Sequence, residues 1–170
     1  MRGELTGFSL THGQVFVTAR SSIHDTKTKY PTMEGQIRVN VDEASDSPSA
    51  EIRVDMRDFD AGDWLKNRKL RSDLQPEKHP TALFRLTALE GVTPRQDGKL
   101  EATAVGILSW RGREVPIRAR GHGRIERQSI EAQAEFELDV RTLGVEPPKL
   151  LMFKVESTVL VQVELRARAQ

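Results

Sequence analysis

The sequence predicts an all-β fold, an eight-stranded antiparallel barrel carrying one helical insertion. Three observations lead there. Apolar–polar alternation recurs along the chain, as in Ile37, Val39 and Val41 against Gln36, Arg38 and Asn40, which is the period of a half-buried strand. Short turn signals join nearly all of these stretches to their neighbours. One charge-rich helical run stands between two halves of the strand pattern, placed as a lid or plug on a barrel. A closed barrel is the natural outcome, because it leaves no unpaired edge.

Gln14 to Arg20 reads as the first strand, with Thr11-His12-Gly13 as the turn before it. Ser21 to Pro31 is polar and reads as a connector. Thr32 to Val41 and Ala50 to Met56 both alternate strictly, and the Ser-, Asp- and Pro-rich stretch between them makes a hairpin. Asp63 is placed to cap the helix that runs to Leu74. Trp64, Leu65, Leu70 and Leu74 would supply its buried stripe, while Lys66, Arg68, Lys69 and Arg71 make its other surface basic. Pro76 and Pro80 stop the helix.

A strand from Thr81 to Leu89 follows, ending in Glu90-Gly91-Val92-Thr93-Pro94, with Asp97-Gly98 as the turn. Lys99 to Trp110 goes out, Arg111-Gly112-Arg113 turns tightly, and Glu114 to Gly123 returns. After a turn at Glu126 to Ser129, Ile130 to Leu143 and Lys154 to Ala167 complete eight strands.

Two of these strands tell the inside from the outside. Arg118, Arg120 and His122 share one face of their strand, while Glu131, Gln133, Glu135, Glu137 and Asp139 share a face of the next. A basic stripe beside an acidic one reads as a solvated outer surface. The opposite face is then the interior, and its middle is built of small residues: Ala102, Ala104, Gly106, Ala119, Gly121, Ala132 and Ala134. An eight-stranded barrel is just wide enough to be filled by side chains or to hold one small ligand. Small linings leave apolar volume that costs stability unless something occupies it. Either a ligand fills it, or larger residues such as Phe84, Leu86, Met56 and Val39 do.

Size and charge narrow the classes. At 170 residues one domain, 1–170, is expected. The net charge of +1, from 26 basic and 25 acidic residues, offers no bulk field towards nucleic acid or an anionic membrane. There is no cysteine, which excludes disulfides and thiolate chemistry. Met1 to Phe8 lacks the apolar core of a signal peptide, and no run approaches about 18 apolar residues. The expectation is a cytoplasmic protein without a transmembrane segment.

Four blocks, in order, carry a resemblance to a known family: Val54 to Gly62; Leu70-Arg71-Ser72-Asp73-Leu74 with Glu77 to Phe84; Ala104 to Pro116; and Asp139 to Val155. Together they span nearly the whole chain, which resembles the YceI-like family. That resemblance implies a lipocalin-like antiparallel barrel with affinity for polyisoprenoid or other long apolar chains, in a leaderless member. Arg111 and Lys69 stand where the family often carries His.

Catalytic and metal motifs are largely absent. Asp58, Asp60 and Asp63 lack the closing Glu and the spacing of a calcium loop. His12, His24, His79 and His122 form no close pairs for zinc. Ser21, Ser22 and His24 assemble no triad, and there is no nucleophile elbow or phosphate loop. The basic helix face reads as a solvated surface, or as a guide for an anionic headgroup or membrane at the barrel mouth. Trp64 and Trp110 read as core or rim residues.

The reading is therefore a non-enzymatic carrier of a long-chain apolar molecule, of polyisoprenoid or fatty-acyl type as the resemblance implies. It needs no cofactor beyond that bound lipid. Its lining would be Phe84, Ala102, Ala104, Gly106, Leu108, Ala119, Ala132, Ala134 and Phe136. The alternative is a barrel filled by its own side chains that acts through its charged exterior, as a structural or interaction protein or a homodimer.

Overall fold

The computed structural model describes residues 4–146 and 155–170. The start of the last strand at Lys154, and residues 147–154 of the fourth family block, lie outside the described residues, as do residues 1–3.

Among the described residues, nine antiparallel strands make one sheet that closes on itself: β1 (Thr6–Ser21), β2 (Thr26–Tyr30), β3 (Met33–Val39), β4 (Ser49–Asp55), β5 (Thr81–Pro94), β6 (Leu100–Trp110), β7 (Arg113–Ile125), β8 (Ser129–Asp139) and β9 (Val155–Ala169). A helix, α1 (Trp64–Leu74), lies between β4 and β5 in the chain. From β3 to β9 each strand pairs with its chain neighbour, and β9 returns to β1. One edge of β1 pairs with β3 near Phe8 and with β2 from Val15 to Ala19. Thus β2 and β3 run end to end, sharing one position in the wall, and nine strands build the expected eight-position closed barrel.

Four expectations are corrected here. Ser21 to Pro31 is not wholly a connector, since Thr26-Lys27-Thr28-Lys29-Tyr30 pairs with β1. Its alternation was hidden because hydroxyl side chains, not aliphatic ones, take the inner positions: Thr28 and Tyr30 are buried. Pro31, which has no N–H to donate, separates β2 from β3.

The first strand begins at Thr6, and Thr11-His12-Gly13 is no turn; it lies beside a bulge between Leu10 and His12 that interrupts the alternation. A β-carbon at Gly13 would meet the Met33 side chain.

The strand after the Glu126 to Ser129 turn stops at Asp139, not Leu143. The Asp139 carboxylate accepts from the Arg141 N–H at 3.0 Å and starts a 3-10 turn over Val140–Leu143, closed by Gly144 in the left-handed region. Local capping outcompetes the ladder here.

Trp64 and Leu65 are 71% and 63% exposed. The Asp63 Oδ1 caps the helix by accepting from the Lys66 N–H at 2.8 Å, but only the second half of the stripe packs: Leu74 is buried and Leu70 half-buried.

β5 continues through Glu90 to Pro94 with two register shifts. The β6–β7 turn is tight, with Arg111 and Gly112 both at positive φ, 55° and 73°, as a two-residue hairpin of this twist needs. Outside, Arg120 faces Glu135 and Arg124 faces Glu131, and Arg118 bonds Glu90 at 2.7 Å. Such exposed pairs contribute little stability but mark the solvated face as expected.

The apolar interior divides lengthwise. Phe8, Val39, Ala44, Ile130 and Ala167 close one end. The larger cluster, with Tyr30, Phe59, Leu74, Trp110 and Leu143 among its members, lies towards the α1 end.

Candidate ligand-binding cavity

Between these clusters the barrel encloses a cavity of about 780 Å³, within the range of about 300–1,000 Å³ typical of small-molecule sites. Its origin is legible in the strand registers. Ala102 lies opposite Gly121 and Ala104 opposite Ala119; Gly121 lies opposite Ala134 and Gly123 opposite Ala132. Three adjacent strands therefore present a patch of wall without bulk. A β-carbon at Gly121 or Gly123 would stand about 3 Å from those of Ala134 or Ala132, at 3.1 and 3.0 Å, so small residues also let the strands approach. Val15, Val17, Val161 and Val163 line the wall formed by β1 and β9.

Eight of the nine residues expected in the lining border the cavity: Phe84, Ala102, Ala104, Leu108, Ala119, Ala132, Ala134 and Phe136. Gly106 is buried in the same wall but does not border it, because the Phe84 ring lies over it. Sequence reasoning missed β2, whose Thr26, Thr28 and Tyr30 line the cavity with hydroxyl-bearing side chains. The period-two pattern in that stretch was the available signal. Tyr30 is 3% exposed, and burial pushes its phenol pKa well above the ordinary tyrosine range. Its ring tilts against Phe59 at 5.8 Å.

α1 sits at the mouth. Leu65, Lys66, Lys69, Leu70, Asp73 and Leu74 all border the cavity, so it reaches the surface beside this helix. Lys69 Nζ donates to Asp73 Oδ1 at 2.9 Å, while Asp73 Oδ2 is enclosed with no partner among the described residues. The helix is fixed at its far end. Arg111 donates to the Leu74 carbonyl at 2.6 Å, and Trp110 Nε1 donates to the His79 carbonyl at 2.9 Å. Gln75, left-handed at φ 49°, donates its N–H to the Arg71 carbonyl. The Arg71 guanidinium lies over the Phe59 ring, 4.9 Å from its centroid.

The cavity lining is hydrocarbon over most of its area, with polar residues on β2, at the mouth, and at His122, Glu131 and Gln133 on β7 and β8. Such a site can take up a long apolar molecule and offers one polar side to a head group. Among the described residues no cluster of His, Asp or Glu is placed to hold a metal ion, and no helix is long and apolar enough to cross a membrane.

Several solved structures share this fold. A polyisoprenoid-binding domain from Saccharophagus degradans, implicated in plant cell wall breakdown, superposes with a TM-score of 0.75 at 14% identity, over 97% of this chain and 99% of that one. Burkholderia cenocepacia BcnA gives 0.72 at 17% identity, over 91% and 95%. A Campylobacter jejuni YceI protein gives 0.67 at 11% identity, over 88% of each. No match is found among curated proteins. The family model described as the YceI-like domain matches residues 6–167, and with nearly the whole chain so covered, the protein belongs to the YceI-like family.

Proposed function

We propose that the barrel binds and carries one long apolar molecule, of polyisoprenoid or fatty-acyl type, without transforming it. The observation that carries this reading is the cavity of about 780 Å³, walled by Ala, Val, Leu and Phe side chains and left unfilled by the protein's own residues. Burying each methylene contributes roughly 0.8 kcal/mol, so a chain of about ten carbons binds firmly with no charged contact. Family membership and the polyisoprenoid-binding Saccharophagus domain with the same fold support the ligand class. Tyr30 and Thr28 on β2 suit the one polar group that such a molecule carries at its end.

Native mass spectrometry followed by organic extraction tests the reading. A stoichiometric adduct that extracts as a prenyl or acyl lipid is expected. A clean apo mass that persists when prenyl and acyl lipids are added would overturn it, in favour of a barrel that works through its charged exterior.

A further inference from the structure

We propose that the α1 end of the barrel docks onto an anionic bilayer, with Ile23, Trp64 and Leu65 set among the lipids. The inference rests on the carrier reading above. Among the described residues four large apolar side chains are exposed, namely Leu5, Ile23, Trp64 and Leu65, and three of the four surround the mouth of the cavity. Ile23, 57% exposed, stands in the β1–β2 turn, whose flanking Ser21 and Thr26 border the cavity. Trp64 and Leu65 form the first turn of α1, and Leu65 borders the cavity as well. A soluble protein gains nothing from exposing a Trp-Leu pair in water. At an interface, an exposed Trp on a short basic helix is a common anchor.

Charge points to the same partner. The whole chain is nearly neutral at +1, yet α1 carries four basic residues, Lys66, Arg68, Lys69 and Arg71, against one acidic residue, Asp73. Lys69 neutralises Asp73, and Arg71 is held by Glu77 and Phe59. Lys66 lies 4.0 Å from Asp63, and Arg68 is exposed with no ion pair among the described residues. Asp63, Glu146 and Glu156 also border the mouth. Asp25, two residues from Ile23, is exposed as well. Arg68 is therefore the cation placed to meet lipid phosphates, joined by Lys66 where a phosphate replaces its long contact with Asp63, beside apolar side chains that reach below them. The arrangement has a clear use, since a long apolar ligand crosses from bilayer to cavity without entering water only if the mouth itself lies at the membrane.

The test is flotation of the full chain with vesicles of phosphatidylcholine alone and of phosphatidylcholine with phosphatidylglycerol in equal parts. Binding to the anionic vesicles is expected, weaker with added salt and weak on the neutral ones. Tryptophan emission should shift to shorter wavelength on binding. That shift reports Trp64, because Trp110 is already buried. Trp64→Ala with Leu65→Ala should lower vesicle affinity at least about tenfold, the scale expected when two large apolar side chains leave an interface. Lys66→Glu with Arg68→Glu should do likewise, whereas Leu5→Ala, outside the mouth, should change nothing. Unaltered circular dichroism and an unaltered denaturation midpoint verify that the variants keep their barrel.

Failure to bind either vesicle, or undiminished binding by the Trp64/Leu65 variant, would overturn the proposal. So would a concentration-dependent dimer abolished by those same substitutions, which would assign the patch to a second copy of the chain. Vesicle binding without any extractable lipid would leave docking in place and reject the carrier reading, so the two fail separately.

Discussion

The ring of Phe84 occupies the place where a side chain at Gly106 would stand. A β-carbon built on Gly106 would come within 2.6 Å of the ring's Cζ, and would also meet the carbonyl oxygen of Arg85. Phe84 therefore supplies the lining at this level of β5 and β6, and Gly106 makes room for it. The expected outcome of Gly106→Ala is a loss of about 1–3 kcal/mol, the usual cost of overpacking, read as a lower denaturation midpoint. The Arg85 oxygen belongs to a strand ladder and cannot move aside cheaply. A midpoint equal to wild type would mean that the ladder yields locally.

Ala104→Phe should fill the cavity rather than break the wall. Ala104 borders the empty volume and faces another alanine, Ala119, across the strand pair. The variant should keep its circular dichroism spectrum while losing most uptake of an apolar fluorescent probe. Wild-type uptake would mean that the ligand does not use this side of the barrel.

Arg111 ties the end of α1 to the β6–β7 turn through the Leu74 carbonyl. Because Arg111 sits at φ 55°, glycine there suits the backbone, and Arg111→Gly removes the tether without straining the turn. A hydrogen bond from a charged donor contributes about 1.5–3 kcal/mol. Amide exchange from Trp64 to Leu74 should quicken by more than tenfold, on the order of the loss of one such bond, while the strands keep their protection. Equal acceleration throughout would mean that α1 and the barrel open as one unit.

Tyr30 is the only tyrosine in the chain, so ultraviolet titration reports it alone. Burial raises its pKa, so no phenolate should form in the folded protein near pH 10, the ordinary value. The unfolded chain ionises first, so its share of stability is complete below about pH 10 and is lost as pH rises beyond it. A normal titration curve in the folded protein would place the hydroxyl in water. Tyr30→Phe should remove this alkaline dependence.

How far the sequence carried the fold depended on what faces inward. Where aliphatic residues alternate with charged ones, as in β3 and β4, periodicity alone located strand and face; in β8 it gave the face but overran the end at Asp139. β2 escaped because Thr and Tyr hold its inner positions, a choice that hydropathy does not distinguish from a loop. β1 was cut short because the bulge after Leu10 shifts the phase by one residue. The cavity itself was foreseeable, since Ala and Gly clustered on one face of three strands in succession. The roof over Gly106 was not, because alternation assigns a face but does not say which neighbouring ring covers it. Trp64 and Leu65 looked like part of a packed stripe; a cap fixes where a helix begins, and it says nothing of what that first turn lies against.

The seam between β1 and β9 ties together the two extremes of the fold. Phe8 partners Ala169 and Ser21 partners Val155, so this ladder closes a loop of chain that holds nearly every other element. Pairing across such separations is slow, because chain entropy is lost before the bonds form. Until then β1 exposes an edge open to other chains, and the hollow interior has no fourth side. Removing β9 would leave an open, aggregation-prone sheet with no cavity at all. On the carrier reading, an apolar ligand that binds only the closed barrel would favour completion of this seam.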